Sequence, residues 1–424
     1  MSHSGTTLIL IMAIAVLAPL LAYAVGRKLP VPLVIFEILL GILIGPDVLG
    51  WARPSELIDG LSELGLTMLI FLAGYEIEFG KVRGDTLRRS VRAWLIALVL
   101  GLAAGILLGG GYAKGVFIGV ALTSTALGTV LPVLRDAGDL HGRFGSVVMA
   151  FGAVGEFGPI IAMALLLSGR GAGESTALLA AFAALTAGAV YWALRPRPPW
   201  FSKVIARTLD SSGQFAVRFV FLLLALMLGA STALGLDVLL GAFAAGLVTR
   251  LVLTGAAPES GPRILEKIEG VGFGFLVPVF FVVTGIEFDL DSLLDGGRTL
   301  LLLPVFLLLF LLVRGGPIWF LAPRDLGRED RTGLVLYGST ALPLVVAITT
   351  IGVDDETLTA GEAAALVGAG MVSVLVFPLL ALKLRARART GTGAGAGAGS
   401  GPGAGEESGG PGRPGGSVSG SETW

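Results

Sequence analysis

Hydrophobic residues run along this chain in blocks of sixteen to twenty-five, each closed by a short polar or Gly/Pro-containing stretch. An α-helix needs about 20 apolar residues to cross a bilayer core of about 30 Å. By that measure thirteen helices are predicted, over residues 6–26, 31–46, 61–79, 91–111, 115–134, 144–168, 174–194, 215–234, 236–254, 268–288, 299–321, 332–352 and 361–383. The weakest signals are the short second span and the division at Gly235. The expected fold class is an all-α polytopic membrane protein.

Composition agrees with the pattern. Hydrophobic residues make up 54% and charged residues 14%, against about 25% charged in soluble domains. Cysteine is absent, which excludes disulfides, thiolate metal sites and cysteine catalysis. Histidine occurs only at His3 and His141, near predicted helix ends, so a histidine-built metal site is not expected. The first apolar block has no basic segment before it and reads as a true span, not a cleaved signal peptide. The net charge of −1 identifies no partner, and no nucleic acid is expected. Residues 384–424 are rich in Gly, Ala, Ser and Pro and are expected to be a disordered tail with no nucleotide-binding or regulatory domain.

Basic residues fix an expected orientation. Loops after odd-numbered spans hold 24 Lys and Arg, and loops after even-numbered spans hold 4. Cytoplasmic loops carry the excess of positive charge. The N-terminus is therefore expected outside and the C-terminus in the cytoplasm, in the cell membrane of a bacterium.

Three fragments of the first half return, in order, in the second. Leu39-Leu40-Gly41 matches Leu239-Leu240-Gly241, Phe71–Phe79 matches Phe281–Phe288, and Ser124-Thr125-Ala126-Leu127 matches Ser339-Thr340-Ala341-Leu342. The last pair falls in spans 5 and 12, which run in opposite directions, so the repeats are inverted. That architecture belongs to secondary transporters, with a site near the midplane between discontinuous helices. Both copies carry helix-breaking signals. Ser and Thr compete for backbone hydrogen bonds, Gly128 follows the first copy, and Pro343 follows the second.

Against this background Glu156 stands out. It is the only charge in the run 144–168, with twelve residues on either side. A carboxylate at that depth costs a few kcal/mol, and such acids mark ion or proton paths; the alternative is a protonated packing acid. Glu156 with Thr123, Ser124 or Thr125 would offer oxygen ligands to Na+ or K+. Burial disfavours a charged carboxylate, so a proton and a cation would compete for the same oxygens. Arg314 is the only charge in the span 299–321 and is expected either to partner that site or to snorkel to the cytoplasm. Glu37 is a supporting candidate, whereas Glu76, Glu78 and Glu287 read as interfacial and Asp237 as an N-cap or a charge at the outer mouth. There is no nucleophile–base pair of the kind an enzyme would need.

The ordered segments GILIGP (41–46), FLAGYEIEF (71–79), ALTSTAL (121–127), LLGAFAAGLV (239–248) and PVFFVVTGIEFDL (278–290) resemble the sodium/hydrogen exchanger domain of monovalent cation:proton antiporters, in the branch of Kef-type potassium systems and plant cation/proton exchangers. The resemblance covers about residues 6–383. It implies a homodimer with a dimerisation domain and a core domain moving like an elevator. It also implies two crossed broken helices at the STAL segments, an essential acid at Glu156 and a basic residue at Arg314. No cofactor is implied beyond the transported Na+ or K+ and H+. Electrogenic members of the family carry two adjacent acids and others Asn-Asp or Gln-Asp where this chain has Gly155-Glu156, so the resemblance with a single carboxylate implies electroneutral exchange. A separate regulatory subunit, a gated potassium efflux channel on the same fold, and a membrane sensor or assembly role are the alternatives that the residues leave open.

Overall fold

The computed structural model describes residues 3–396 apart from 27–30, 77–83, 141, 167–171, 196–198, 210, 212, 257–258 and 296. Among the described residues it is helical with no strand. Twelve helices are long and apolar enough to span a bilayer, and Leu33–Ile44 is a shorter thirteenth. All thirteen coincide with the blocks expected from hydropathy. Gly235, in the left-handed region at φ 65°, divides Phe215–Ala233 from Val238–Ala256. A side chain there would be strained.

The differences lie at the ends. Glu56–Glu76 and Asp85–Gly109 begin five or six residues before their apolar blocks, in polar turns with Glu56, Asp59 and Asp85 at their N-termini. Acids are favoured there by the helix dipole, and a hydropathy window does not see them. Pro199–Thr208 is a further short helix for the same reason: it is amphipathic. The last helix runs Ala360–Ala396, beyond the expected end at 383. Residues 397–424 of the expected tail lie outside the described residues, as does Glu78.

Glycine sets the helix spacing. Leu33–Ile44 packs on Val277–Ile286 where Gly41 meets Val282 O and Gly285 meets Ile38 O, contacts too close for a Cβ. Glu56–Glu76 packs in the same way on Val238–Ala256 through Gly74 and Gly246. Asp85–Gly109 meets Tyr112–Leu122 through Gly101, Gly105, Gly115 and Gly119. Lipid offers no hydrophobic drive between helices, so close backbone approach supplies dispersion contact instead. Outward-facing Leu20, Leu107, Leu301 and Phe320 are exposed, as a lipid-facing surface requires.

Two helices contain π-helical turns, Gly272–Leu276 and Phe310–Gly315, each followed within two residues by a proline, Pro278 and Pro317. Proline removes an N–H from the ladder, and such widened turns concentrate at functional sites.

Candidate functional site

Both STAL segments interrupt their helices. Tyr112–Leu122 stops before Thr123, and the chain restarts as Leu127–Asp136. Arg328–Gly338 stops before Ser339 and restarts as Pro343–Asp354. The hydroxyls turn back onto the first half-helix: Thr123 Oγ1 donates to Val120 O and Ser124 Oγ to Ala121 O, each at 2.8 Å. Thr340 Oγ1 does the same to Leu336 O at 3.0 Å. Pro343 fits the first turn of the second half, where no N–H is needed.

The two interruptions cross. Ala126 N donates to Thr340 O at 2.7 Å, and Thr125 Oγ1 donates to Gly338 O at 2.6 Å. Two further helices complete the backbone bonds. Thr125 N donates to Gly155 O at 3.0 Å. That carbonyl is available because Pro159, four residues on, has no N–H to give it. On the other side Ala341 N donates to Ser373 Oγ at 3.0 Å. Gly155 follows Thr125 by 30 residues and Gly370, close to Ser373, follows Thr340 by 30, so the repeat extends into these supporting helices.

Arg314 sits inside this crossing. It is fully buried in the π-helical turn, which excludes snorkelling. Its Nε donates to Thr125 Oγ1 at 3.0 Å and its Nη2 to Phe151 O at 2.7 Å. Among the described residues Nη1 has no hydrogen-bond partner, and neither have the buried Ser339 Oγ and Tyr337 Oη. A Cβ on Gly155 would collide with Arg314 Nη2 and Thr125 Oγ1. Glycine at 155 therefore makes room for the guanidinium.

Glu156 follows directly. It is 3% exposed, and its carboxyl group makes no hydrogen bond or ion pair among the described residues. Arg314 and Thr125 are engaged with each other and do not pair with it. Thr123 and Ser124 keep their acceptor lone pairs, but no hydrogen bond joins them to Glu156. No group of three or more His, Cys, Asp and Glu that could hold a metal ion occurs among the described residues. A cation at Glu156 would complete its shell from hydroxyls, carbonyls or water. Glu76, expected at the interface, is half-buried and within electrostatic reach of Glu156.

Glu37 and Gly128 line a cavity of about 700 Å³. A second cavity, of about 260 Å³, holds Glu287, Asp354 and Thr349. Each cavity is walled in part by the second half of one broken helix. Asp237 accepts from Leu239 N at 2.8 Å, as an N-cap should. Sequence reasoning missed Ser373, an ordinary residue in an apolar helix, and Phe151, which contributes only a carbonyl. It counted Arg385 as loop charge, yet Arg385 is buried against Asp139, Asp330 and the Phe144 ring.

The matches to known proteins follow this geometry. The profile of the family described as sodium/hydrogen exchanger, transmembrane, matches residues 12–382. The chain belongs to that family, whose members are transporters and not enzymes. It is 25% identical over 405 residues to a putative Na(+)/H(+) antiporter of Bacillus subtilis, YjbQ, covering 89% of this chain and 63% of that protein. It is 26% identical to the Na(+)/H(+)-K(+) antiporter GerN of Bacillus cereus, covering 66% of this chain and 72% of GerN. Cation/H(+) antiporter 19 of Arabidopsis thaliana is 28% identical over 67% of this chain and 37% of its own length. The chain thus spans less than two thirds of the Bacillus subtilis and Arabidopsis proteins.

Proposed function

We propose that this chain is a secondary antiporter exchanging a monovalent cation, Na+ or K+, for H+, with Glu156 as the group that carries either ion. The observation that carries this reading is a buried, unpartnered carboxylate one residue from a crossing of two broken helices. The names of the relatives support the same chemistry, and GerN's name includes both cations.

In this mechanism Glu156 releases its proton to one side and then accepts a dehydrated cation. The crossing supplies hydroxyl and carbonyl oxygens beside it. Arg314 ties the first interruption to the helix that carries Glu156, through Thr125 Oγ1 and Phe151 O. One carboxylate carries one proton or one cation, so exchange is electroneutral. The basic-residue asymmetry supports an outside N-terminus and a cytoplasmic C-terminus. The family resemblance supports a homodimer with elevator-like alternating access.

Proteoliposomes loaded with a pH-sensitive dye test the proposal. Adding Na+ or K+ to the wild type should move protons, and Glu156→Gln should lower the rate at least about a hundredfold while the protein still folds, since the reacting group is removed. No cation-dependent proton movement in the wild type would sink the antiport reading. Unchanged flux in E156Q would keep antiport and discard the site.

A further inference from the structure

The 700 Å³ cavity beside Glu37 has a chemistry of its own. Its volume lies within the range of small-molecule sites, about 300–1,000 Å³. The walls are mainly apolar, with Leu33, Val277 and Phe281 from two packed helices and Val133 from the second half of the first broken helix. Glu37 is the only charged residue among its described lining, and Thr129 the only other polar side chain. Glu37 is 3% exposed, and its carboxyl group makes no hydrogen bond or ion pair among the described residues. An unpaired buried carboxylate is costly unless something compensates it.

We propose that this cavity binds hydrophobic organic monocations, an ammonium on a compact apolar body, with Glu37 as the counter-ion. The ammonium would sit at the carboxylate and donate to it, while the apolar body displaces water from the leucine, valine and phenylalanine walls. A bare alkali cation fits less well, since it needs several oxygen ligands and the walls are hydrocarbon. The proposal does not depend on the antiport reading, and its readout is binding, not transport.

The test uses the full chain in nanodiscs and equilibrium dialysis with radiolabelled 1-adamantylammonium. Saturable binding of one ligand per chain is expected, with 1-adamantanol failing to compete. Glu37→Gln should weaken binding about thirtyfold or more, the loss typical of truncating one member of a buried charge pair. Val133→Phe, which adds bulk to a lining position on another helix and leaves Glu37 in place, should also abolish it and decides the matter if E37Q does not fold. Partitioning no greater than in empty nanodiscs, equal competition by the alcohol, or unchanged affinity in both variants would overturn the proposal.

Discussion

At residue 155 the backbone is packed against a guanidinium and a hydroxyl, and this decides what the neighbouring acid can do. A second ion ligand at this position would have to displace Arg314 Nη2 and Thr125 Oγ1. Gly155→Ala should therefore destabilise the protein by about 1–3 kcal/mol, the usual cost of overpacking, read as a fall in Tm. Gly155→Asn should lose more and should not strengthen cation binding; stronger binding with unchanged Tm would refute the packing account. Arg314→Lys keeps the charge but cannot reach Thr125 Oγ1 and Phe151 O together. Exchange about tenfold slower is expected, with folding retained. Arg314→Ala loses two charge-assisted bonds and leaves a hole, worth about 3 kcal/mol or more.

At the scale of elements, each broken helix is held by a neighbour that returns the hydrogen bonds its own ladder gave up. Ser373 does this for the second break, through Ala341 N. Ser373→Ala leaves a buried donor unsatisfied at a cost of about 1–3 kcal/mol. It should slow exchange without abolishing it, whereas Ser373→Thr, if accommodated, keeps the acceptor. How much of this was legible follows from the physics. The spans were readable because bilayer thickness demands long apolar blocks, and the breaks because Ser, Thr, Gly and Pro disturb helices wherever they occur. The partners of the breaks were not readable, since Phe151 and Gly155 act through carbonyls that any residue possesses. Nor was the direction of Arg314: the sequence gives its depth, while the π-helical turn ahead of Pro317 gives its aim. Arg385 was misjudged because a hydropathy count cannot separate a loop charge from one buried against Asp139.

For the whole molecule, two cavities border the halves of the broken helices, and the proposed topology puts the Glu37 cavity toward the cytoplasm and the Glu287 cavity outside. The chain has no cysteine, so single introduced thiols report orientation cleanly. Exposed Asp355→Cys should react with a membrane-impermeant maleimide in intact cells, and exposed Ser211→Cys only after permeabilisation; the reverse pattern would invert the proposed topology. Electroneutral exchange predicts that flux in proteoliposomes is unchanged when a gradient of the permeant anion thiocyanate, with no K+ gradient, sets the membrane voltage. The central claim, that Glu156 holds a proton and a cation in turn, is tested most directly by counting protons released when Na+ or K+ is added to the purified protein in weakly buffered solution. The account predicts about one proton per chain, since one carboxylate is exchanged, and none from Glu156→Gln. Release that persists in E156Q, or cation binding to the wild type without proton release, would contradict it.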